Sequence, residues 1–157
     1  RSALARSLLA RPDTVRGRAV LDFAAGGGIG AIAAAKAGAA RVLANEIDDY
    51  ACAALAMNAR LNAAKIEIAA RDLTGEPPEP WDVVLGGDVC YERPMAERAI
   101  PWLRGFAARG ALVLLGDPGR AYLPASGLEE LARYDVPTSL DLEDRTVRVT
   151  RVLRLLP

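Results

Sequence analysis

The stretch VLDFAAGGGIGAIAAAKAGA, residues 20–39, constrains the fold of this chain more than any other. It passes from a short apolar run through a cluster of glycines into an alanine-rich segment. Glycines at such a turn let the backbone approach a ligand closely, and the N-terminus of the following helix favours negative groups. The stretch therefore predicts a strand, a ligand-binding loop and a helix, the unit from which parallel α/β sheets are built.

Further apolar runs alternate with helical patterns along the chain. The predicted strands are 19–23, 41–45, 65–70, 81–85, 111–115, 134–138 and 146–156. The predicted helices are 2–11, 29–37, 50–61, 94–108 and a short one at 127–133, and Pro101 predicts a kink or a restart in the fourth. Buried strands that alternate with helices indicate a parallel sheet covered on both faces, and the last two strands indicate an antiparallel hairpin at its edge. The sequence thus predicts a three-layer α/β fold with a mixed sheet.

Composition limits the class of protein and its ligands. The 157 residues suffice for a single domain, 1–157, and no more. Lys+Arg and Asp+Glu both number 20, so the chain lacks the basic excess of a protein that binds nucleic-acid backbones. There is no histidine, which excludes Ser-His-Asp and Cys-His catalysis and removes the commonest zinc ligand. We therefore expect no metal site and no nucleic-acid partner.

Cysteine usage and hydropathy predict where the protein resides. Cys52 and Cys90 lie far apart and form no CxxC pair, which favours a reducing cytoplasm over a disulfide scaffold. No apolar run reaches the 18 residues of a membrane span and no signal peptide is visible, so no membrane partner is expected. The chain begins with Arg1 instead of Met, and we expect an N-terminal segment to be missing.

Two classes of nucleotide ligand suit the glycine loop. Residues 26–31, GGGIGA, satisfy the G-x-G-x-x-A form of the dinucleotide fingerprint. Glu46 follows Gly28 by eighteen positions, at the end of the second predicted strand, where an acid can accept hydrogen bonds from both hydroxyls of a ribose. NAD and S-adenosylmethionine both carry such a ribose. The loop and Glu46 leave these two ligands open, beside a purely structural turn with a solvated acid.

Three further features favour S-adenosylmethionine. Asp22 lies at the end of the first predicted strand, where a carboxylate would repel a pyrophosphate and stabilise a methionyl ammonium. Asp72 directly follows the third strand, where it can accept a hydrogen bond from an adenine amine. The terminal hairpin leaves no room for the separate substrate domain of a dehydrogenase. Three acids at neighbouring strand ends suit a cofactor with two cationic centres and no phosphate.

From Ala19 to its C-terminus the chain resembles the class I S-adenosylmethionine-dependent methyltransferases. Motif I of that family matches residues 20–28, VLDFAAGGG, with Ala24 in place of the first of its usual three glycines. The resemblance implies a Rossmann-like, seven-stranded sheet of order 3-2-1-4-5-7-6 with the last strand antiparallel, and S-adenosyl-L-methionine as cofactor. The cofactor-binding residues that it implies are Asp22, Ala24, Gly26, Gly28, Glu46, Ile47, Asp72, Leu73 and Gly87.

A narrower resemblance rests on the segments after the fourth and fifth predicted strands. Residues 86–91, GGDVCY, lack the Asn/Asp-Pro-Pro-aromatic motif of nucleic-acid and glutamine-amide methyltransferases. Their D-x-x-Y pattern, with residues 116–120, GDPGR, is most similar to the electron-transfer-flavoprotein β-subunit lysine methyltransferases and their bacterial relatives. The resemblance implies methyl transfer to a lysine of a protein such as that subunit. The alternatives are a ribosomal protein or a small-molecule amine as acceptor.

The resemblance places catalysis in the D-x-x-Y pattern. Asp88 can orient the lysine amine through a hydrogen bond, and Tyr91 can form a wall of the lysine channel; loop capping and core packing are their alternative roles. Cys90 is expected to be a small apolar filler because no base accompanies it. Arg120 is expected to be a solvated loop arginine, with binding of an acidic substrate group as its alternative role. Two functions of other classes stay open, namely a NAD-dependent oxidoreductase and a non-catalytic nucleotide-binding module.

Overall fold

A computed structural model describes residues 2–137 and 146–157, and its strands all belong to one sheet. The strands are β1 (Ala19–Phe23), β2 (Arg41–Asn45), β3 (Glu67–Ala69), β4 (Val83–Gly86), β5 (Leu112–Asp117), β6 (Leu128–Pro137) and β7 (Val147–Leu155). The helices are α1 (Ala3–Ala10), α2 (Ile29–Lys36), α3 (Asp49–Leu61) and α4 (Arg93–Ala108). In the described part of the chain, no helix is long and apolar enough to cross a membrane.

The strand order is β3-β2-β1-β4-β5-β7-β6. Strands β1 to β5 pair in parallel, and β7 lies antiparallel between β5 and β6. The predicted mixed sheet, its order and its single reversed strand are confirmed. Because the parallel strands all point the same way, the residues that follow them gather at one edge of the sheet, where open α/β folds bind their ligands.

The central strands of the sheet, β1, β4 and β5, are buried on both faces. Successive side chains of a strand point to opposite faces, so Val20 packs into the cluster formed with α1 and α2, whereas Leu21 packs into the cluster formed with α4. Both residues are buried. This two-sided burial explains why these central strands are mostly apolar.

The predicted helix at 127–133 is wrong, because residues 128–133 form the first part of β6 and Gly127 precedes it. Leucine, glutamate, alanine and arginine favour a helix locally. In the fold, β7 offers unpaired backbone groups, and β6 pairs with it from Leu128 to Pro137, with one irregularity between Glu130 and Ala132. Tertiary pairing thus overrides the local preference. The predicted strand at 134–138 is the second half of β6, and its residue 138 lies outside the described residues.

Helix α4 contains Pro101 and nevertheless continues as one element to Ala108. A proline removes one intrahelical hydrogen bond and therefore weakens a helix interior. The apolar face of α4 is buried on both sides of the proline, by Ile100 before it and by Leu103 and Phe106 after it. We infer that packing against the sheet holds the two halves in one helix.

Candidate active site

The ends of β1, β2 and β3 bring three acids to one edge of the sheet. Phe23 is paired with Asn45, and Asn45 with Ala69, so the residues that follow these strands lie side by side. Asp22 precedes Phe23, Glu46 follows Asn45, and Asp72 follows β3 after two residues. The sheet register therefore builds an acidic edge beside the glycine loop.

Two glycines of the loop have no space for a side chain. A Cβ on Gly28 would lie 2.8 Å from Cγ of Leu55, and a Cβ on Gly30 would lie 2.9 Å from Oδ2 of Asp22. Gly28 also has a φ of +83°, which L side chains rarely adopt. The glycines thus let α2 begin directly above the carboxylate of Asp22 and against helix α3.

Ala24 adopts the left-handed conformation that its glycine counterpart in motif I would adopt without strain, with a φ of +53°. We predict that Ala24→Gly raises the free energy of unfolding by about 0.5–1 kcal/mol, because relief of this strain exceeds the entropy that glycine adds to the unfolded chain. Urea denaturation measures the change. Ala25→Gly, next to it and without a positive φ, is the matched control and should lower the same free energy. A loss of stability in both variants would contradict strain at Ala24.

Asp22 lies beneath the loop and is only 4% exposed. Its Oδ2 accepts a hydrogen bond from the backbone N–H of Ala31 in α2 at 2.8 Å. The pKa of Asp22 is raised to about 7, chiefly by burial; the Ala31 hydrogen bond acts to lower it, and the charge of Glu46 acts to raise it. The carboxyl group can therefore hold a proton near neutral pH, and a cation bound beside it would favour the charged form.

Glu46 is fixed by three backbone N–H groups. Its Oε2 accepts from Gly26 at 2.8 Å, and its Oε1 accepts from Ile47 at 2.8 Å and from Asp48 at 3.0 Å. Each carboxylate oxygen has two lone pairs, so one acceptor site, on Oε2, remains for a ligand. A cleft opens beside it, lined by Phe23, Ala24, Asn45, Glu46, Ile47, Asp72, Met95 and Arg98.

Asp72 faces the same cleft with one oxygen available. Its Oδ1 accepts from the hydroxyl and the backbone N–H of Thr74, at 2.6 and 2.9 Å, and these hydrogen bonds lower the pKa of Asp72. Its Oδ2 lies 3.9 Å from Nη1 of Arg98, which reaches across from α4. Leu73 is buried, and Ile47 exposes more than half of its side chain at the cleft. An ionised acceptor and apolar walls thus stand opposite Glu46.

Two asparagines that the sequence reasoning missed hold this site together. Asn45 is 2% exposed, and its Nδ2 donates to the carbonyls of Ala69 at 3.0 Å and Arg71 at 2.6 Å, which fixes the approach to Asp72. Asn58 of α3 donates to the carbonyl of Gly27 at 2.9 Å. Asn45 could have been found from the sequence, because a polar residue ends an otherwise apolar strand there. Asn58 lies in an ordinary helical pattern, so nothing in the sequence indicates its role.

The D-x-x-Y segment follows β4, next to the glycine loop, since Gly86 is paired with Phe23. Asp88 forms a bidentate ion pair with Arg120: Nε lies 2.9 and 3.0 Å from its two carboxylate oxygens, and Nη2 also contacts Oδ2. The prediction of a solvated Arg120 is therefore wrong. The loops after β4 and β5 are neighbours because their strands pair, which no local pattern reveals.

The remaining predicted residues divide between surface and core. Tyr91 is 51% exposed, and Gly87 is half-buried directly after β4. Cys90 is buried, and burial, with the nearby charges of Asp117 and Asp88, raises the pKa of its thiol to about 11. The thiol is protonated at neutral pH, in agreement with a packing role instead of a nucleophilic one.

The chemistry of the cleft selects the class of ligand that it could hold. Glu46 and Asp72 offer acceptors for hydroxyl and amine groups, and Phe23 and Ile47 offer apolar surface. The same two acids, with Asp22 beneath the loop, would repel a pyrophosphate. The arrangement fits a nucleoside cofactor without phosphate better than a dinucleotide.

Solved structures share this fold. A ribosomal protein L11 methylase from Lactobacillus delbrueckii subsp. bulgaricus superposes with a TM-score of 0.65 at 21% identity, over 98% of this chain and 77% of that one. A magnesium protoporphyrin IX methyltransferase from Synechocystis, crystallised with bound S-adenosylmethionine, gives a TM-score of 0.68 at 18% identity, over 98% and 76% of the two chains. At these sequence identities, both comparisons show a shared fold only.

Curated relatives are closer in sequence. Electron transfer flavoprotein beta subunit lysine methyltransferases are 40% identical in Xenopus laevis, over 90% of this chain and 60% of that one, and 42% identical in Homo sapiens, over 88% and 53%. The chain thus spans somewhat more than half the length of these relatives. The family model "Ribosomal protein L11 methyltransferase (PrmA)" matches residues 7–87, more than half of the chain. The glycine loop, the acidic edge and the sheet order lie on the shared fold, and the chain belongs to this methyltransferase family.

Proposed function

We propose that the protein transfers a methyl group from S-adenosylmethionine to the ε-amine of a lysine in a protein substrate. The observation that carries the proposal is the pairing of β4 with β1, which sets the D-x-x-Y segment beside the cleft of Glu46 and Asp72. The relatives named as lysine methyltransferases support it, because their similarity covers 83–97% of the chain and includes both regions.

Different residues of the cleft would bind different parts of the cofactor. Glu46 would accept from a ribose hydroxyl through the free site on Oε2, and Asp72 from the adenine amine, with Ile47 and Leu73 beside the ring. The turn of Ala24, Gly26 and Gly28, with Gly87 and the buried Asp22, would hold the methionyl end. When bound, S-adenosylmethionine supplies a methyl group activated by its sulfonium.

The chain itself must present a neutral amine in the correct direction. A free lysine has a pKa near 10.4, so its deprotonation costs roughly 4–5 kcal/mol at pH 7. Asp88 can accept an N–H of the amine and thereby direct its lone pair towards the cofactor cleft. The half-exposed Tyr91 lies three residues further on and would form a wall of the lysine channel. The proton that the amine gives up passes to solvent.

For the substrate we propose the β subunit of an electron-transfer flavoprotein. Relatives named ribosomal protein L11 methyltransferase align over only 42–46% of the chain. The family-model match also ends at residue 87, just before Asp88. The lysine methyltransferase relatives extend over the D-x-x-Y segment and β5, which favours their substrate class.

Labelled S-adenosylmethionine tests this function directly. The protein should transfer label to lysine in purified electron-transfer flavoprotein, as shown by mass spectrometry of the digested product. Asp88→Asn should lower this rate at least about 100-fold, because the uncharged amide orients the amine poorly, and should change the affinity for S-adenosylhomocysteine less than about threefold. Asp13→Asn, in an exposed ion pair with Arg16, is the matched control and should leave both unchanged.

Each contrary result has a distinct meaning. Label confined to RNA or to small amines would refute the protein-lysine proposal and leave the methyltransferase activity standing. A large loss of S-adenosylhomocysteine affinity in Asp88→Asn would make Asp88 a cofactor ligand instead of the group that orients the amine.

A further inference from the structure

The carboxylate of Asp88, proposed to bind the substrate lysine, already forms an ion pair with Arg120. Both oxygens of Asp88 are engaged by the guanidinium of Arg120, and the two side chains are 40% and 35% exposed. The pair bridges the loops after β4 and β5 at the edge of the sheet. A substrate lysine would thus meet an ion pair instead of a lone carboxylate.

The fold holds this arginine in place from behind. The backbone N–H of Arg120 donates to Oδ1 of Asp117 at 2.8 Å, and Oδ2 of Asp117 accepts from Nη2 of Arg151 at 2.7 Å. Asp117 ends β5 and is 2% exposed. Gly119 closes the turn between them with a φ of +94°, a conformation suited to glycine. The ion pair of Asp88 with Arg120 is thus joined to the ion pair of Asp117 with Arg151 through the backbone N–H of Arg120.

We propose that Arg120 is a positioning residue that neutralises Asp88 and so keeps the bound lysine amine unprotonated. The inference rests on the proposed lysine methyltransferase function. A lone carboxylate beside the amine would stabilise the ammonium form, which has no lone pair to donate. With Arg120 in place, the carboxylate oxygens retain lone pairs for an amine N–H, whereas the charge that would favour ammonium is offset.

Other ionisable groups adjoin this pair. Asp117 acts on Arg120 and on Cys90 and is paired with Arg151, and Tyr91, Glu92 and Tyr122 lie within four residues of the pair in sequence. Asp117 and Arg151 neutralise each other, and the thiol of Cys90, with its pKa of about 11, stays protonated below pH 10. A change in the acid limb of the rate profile on removal of Arg120 therefore reports the bound amine.

The test is the pH profile of kcat with saturating S-adenosylmethionine and electron-transfer flavoprotein, since kcat reports ionisations in the bound complex. Arg120→Gln should move the acid limb up by about one pH unit, so that kcat falls about tenfold at pH 7 and the deficit shrinks towards pH 10. Arg120→Lys restores the charge and should keep the wild-type acid limb. Arg16→Gln, which removes an exposed arginine paired with Asp13, is the matched control and should match the wild type.

Two further measurements separate the outcomes. All variants should bind S-adenosylhomocysteine within about twofold of the wild type, and Arg120→Met, which keeps the aliphatic stem, takes the place of Arg120→Gln if the latter has a lowered melting temperature. A loss of kcat that is uniform across pH would overturn the inference and leave the proposed function intact. Absence of lysine labelling by the wild-type protein would overturn the proposed function and this inference with it.

Discussion

Glu46→Gln is expected to weaken the binding of S-adenosylhomocysteine by about 10- to 100-fold. A hydrogen bond to a charged acceptor contributes about 1.5–3 kcal/mol, and Glu46 has one acceptor site, on Oε2, left for a ribose hydroxyl. The substitution also acts within the protein, because the amide can accept from Ile47 and Asp48 with its single oxygen but then turns an NH₂ group towards the N–H of Gly26. Titration calorimetry with S-adenosylhomocysteine measures the loss.

Glu67→Gln is the matched control for this prediction. Glu67 is an exposed glutamate of β3, and its partner is Arg41 at 2.7 Å. An exposed ion pair of this kind contributes little, so the variant should bind S-adenosylhomocysteine within about twofold of the wild type. Affinity retained within threefold in Glu46→Gln would show that the cleft is not the nucleoside site.

The sheet could be predicted from sequence where burial dictates the pattern. Strands β1, β4 and β5 are enclosed on both faces, so their sequences are mostly apolar and each was predicted to within two residues at either end. Strand β6 lies at the edge and is half-exposed, and its leucines, glutamates and alanine favour a helix. Only the pairing with β7 decides its conformation, and that pairing depends on residues distant in sequence.

The residues of the site also differ in whether the local sequence predicts them. Asp22, Glu46 and Asp72 could be named in advance because each follows or ends a strand of the parallel sheet. The ion pair of Asp88 with Arg120 could not, because 32 positions separate the two residues and only the adjacency of β4 and β5 joins them. The positive φ of Ala24 also escaped prediction, since alanine carries no sign of the left-handed conformation that the loop imposes on it.

Asp22→Asn is expected to make the cofactor-free protein more stable at alkaline pH. Burial raises the pKa of Asp22 from 3.8 to about 7, so the stability that its protonated form contributes is complete below pH 3.8 and is lost as pH rises through 7. Asparagine has nearly the same shape, can accept from the N–H of Ala31 and does not titrate. The free energy of unfolding of Asp22→Asn minus that of the wild type should therefore increase by about 2–3 kcal/mol between pH 5 and pH 8.

The same substitution should weaken ligand binding. The changes in stability and in affinity together show what the buried acid at position 22 contributes. A methionyl ammonium favours the charged form of Asp22, so binding releases a proton and the wild-type affinity for S-adenosylhomocysteine should rise about tenfold from pH 5.5 to pH 7.5. In Asp22→Asn the affinity should be lower and nearly independent of pH over this range. Urea denaturation and calorimetry at each pH measure the two quantities. If affinity depends on pH in the same way in both proteins, Asp22 only supports the loop. If Asp22→Asn gains stability at alkaline pH and loses affinity, the charge of Asp22 serves to bind the ligand.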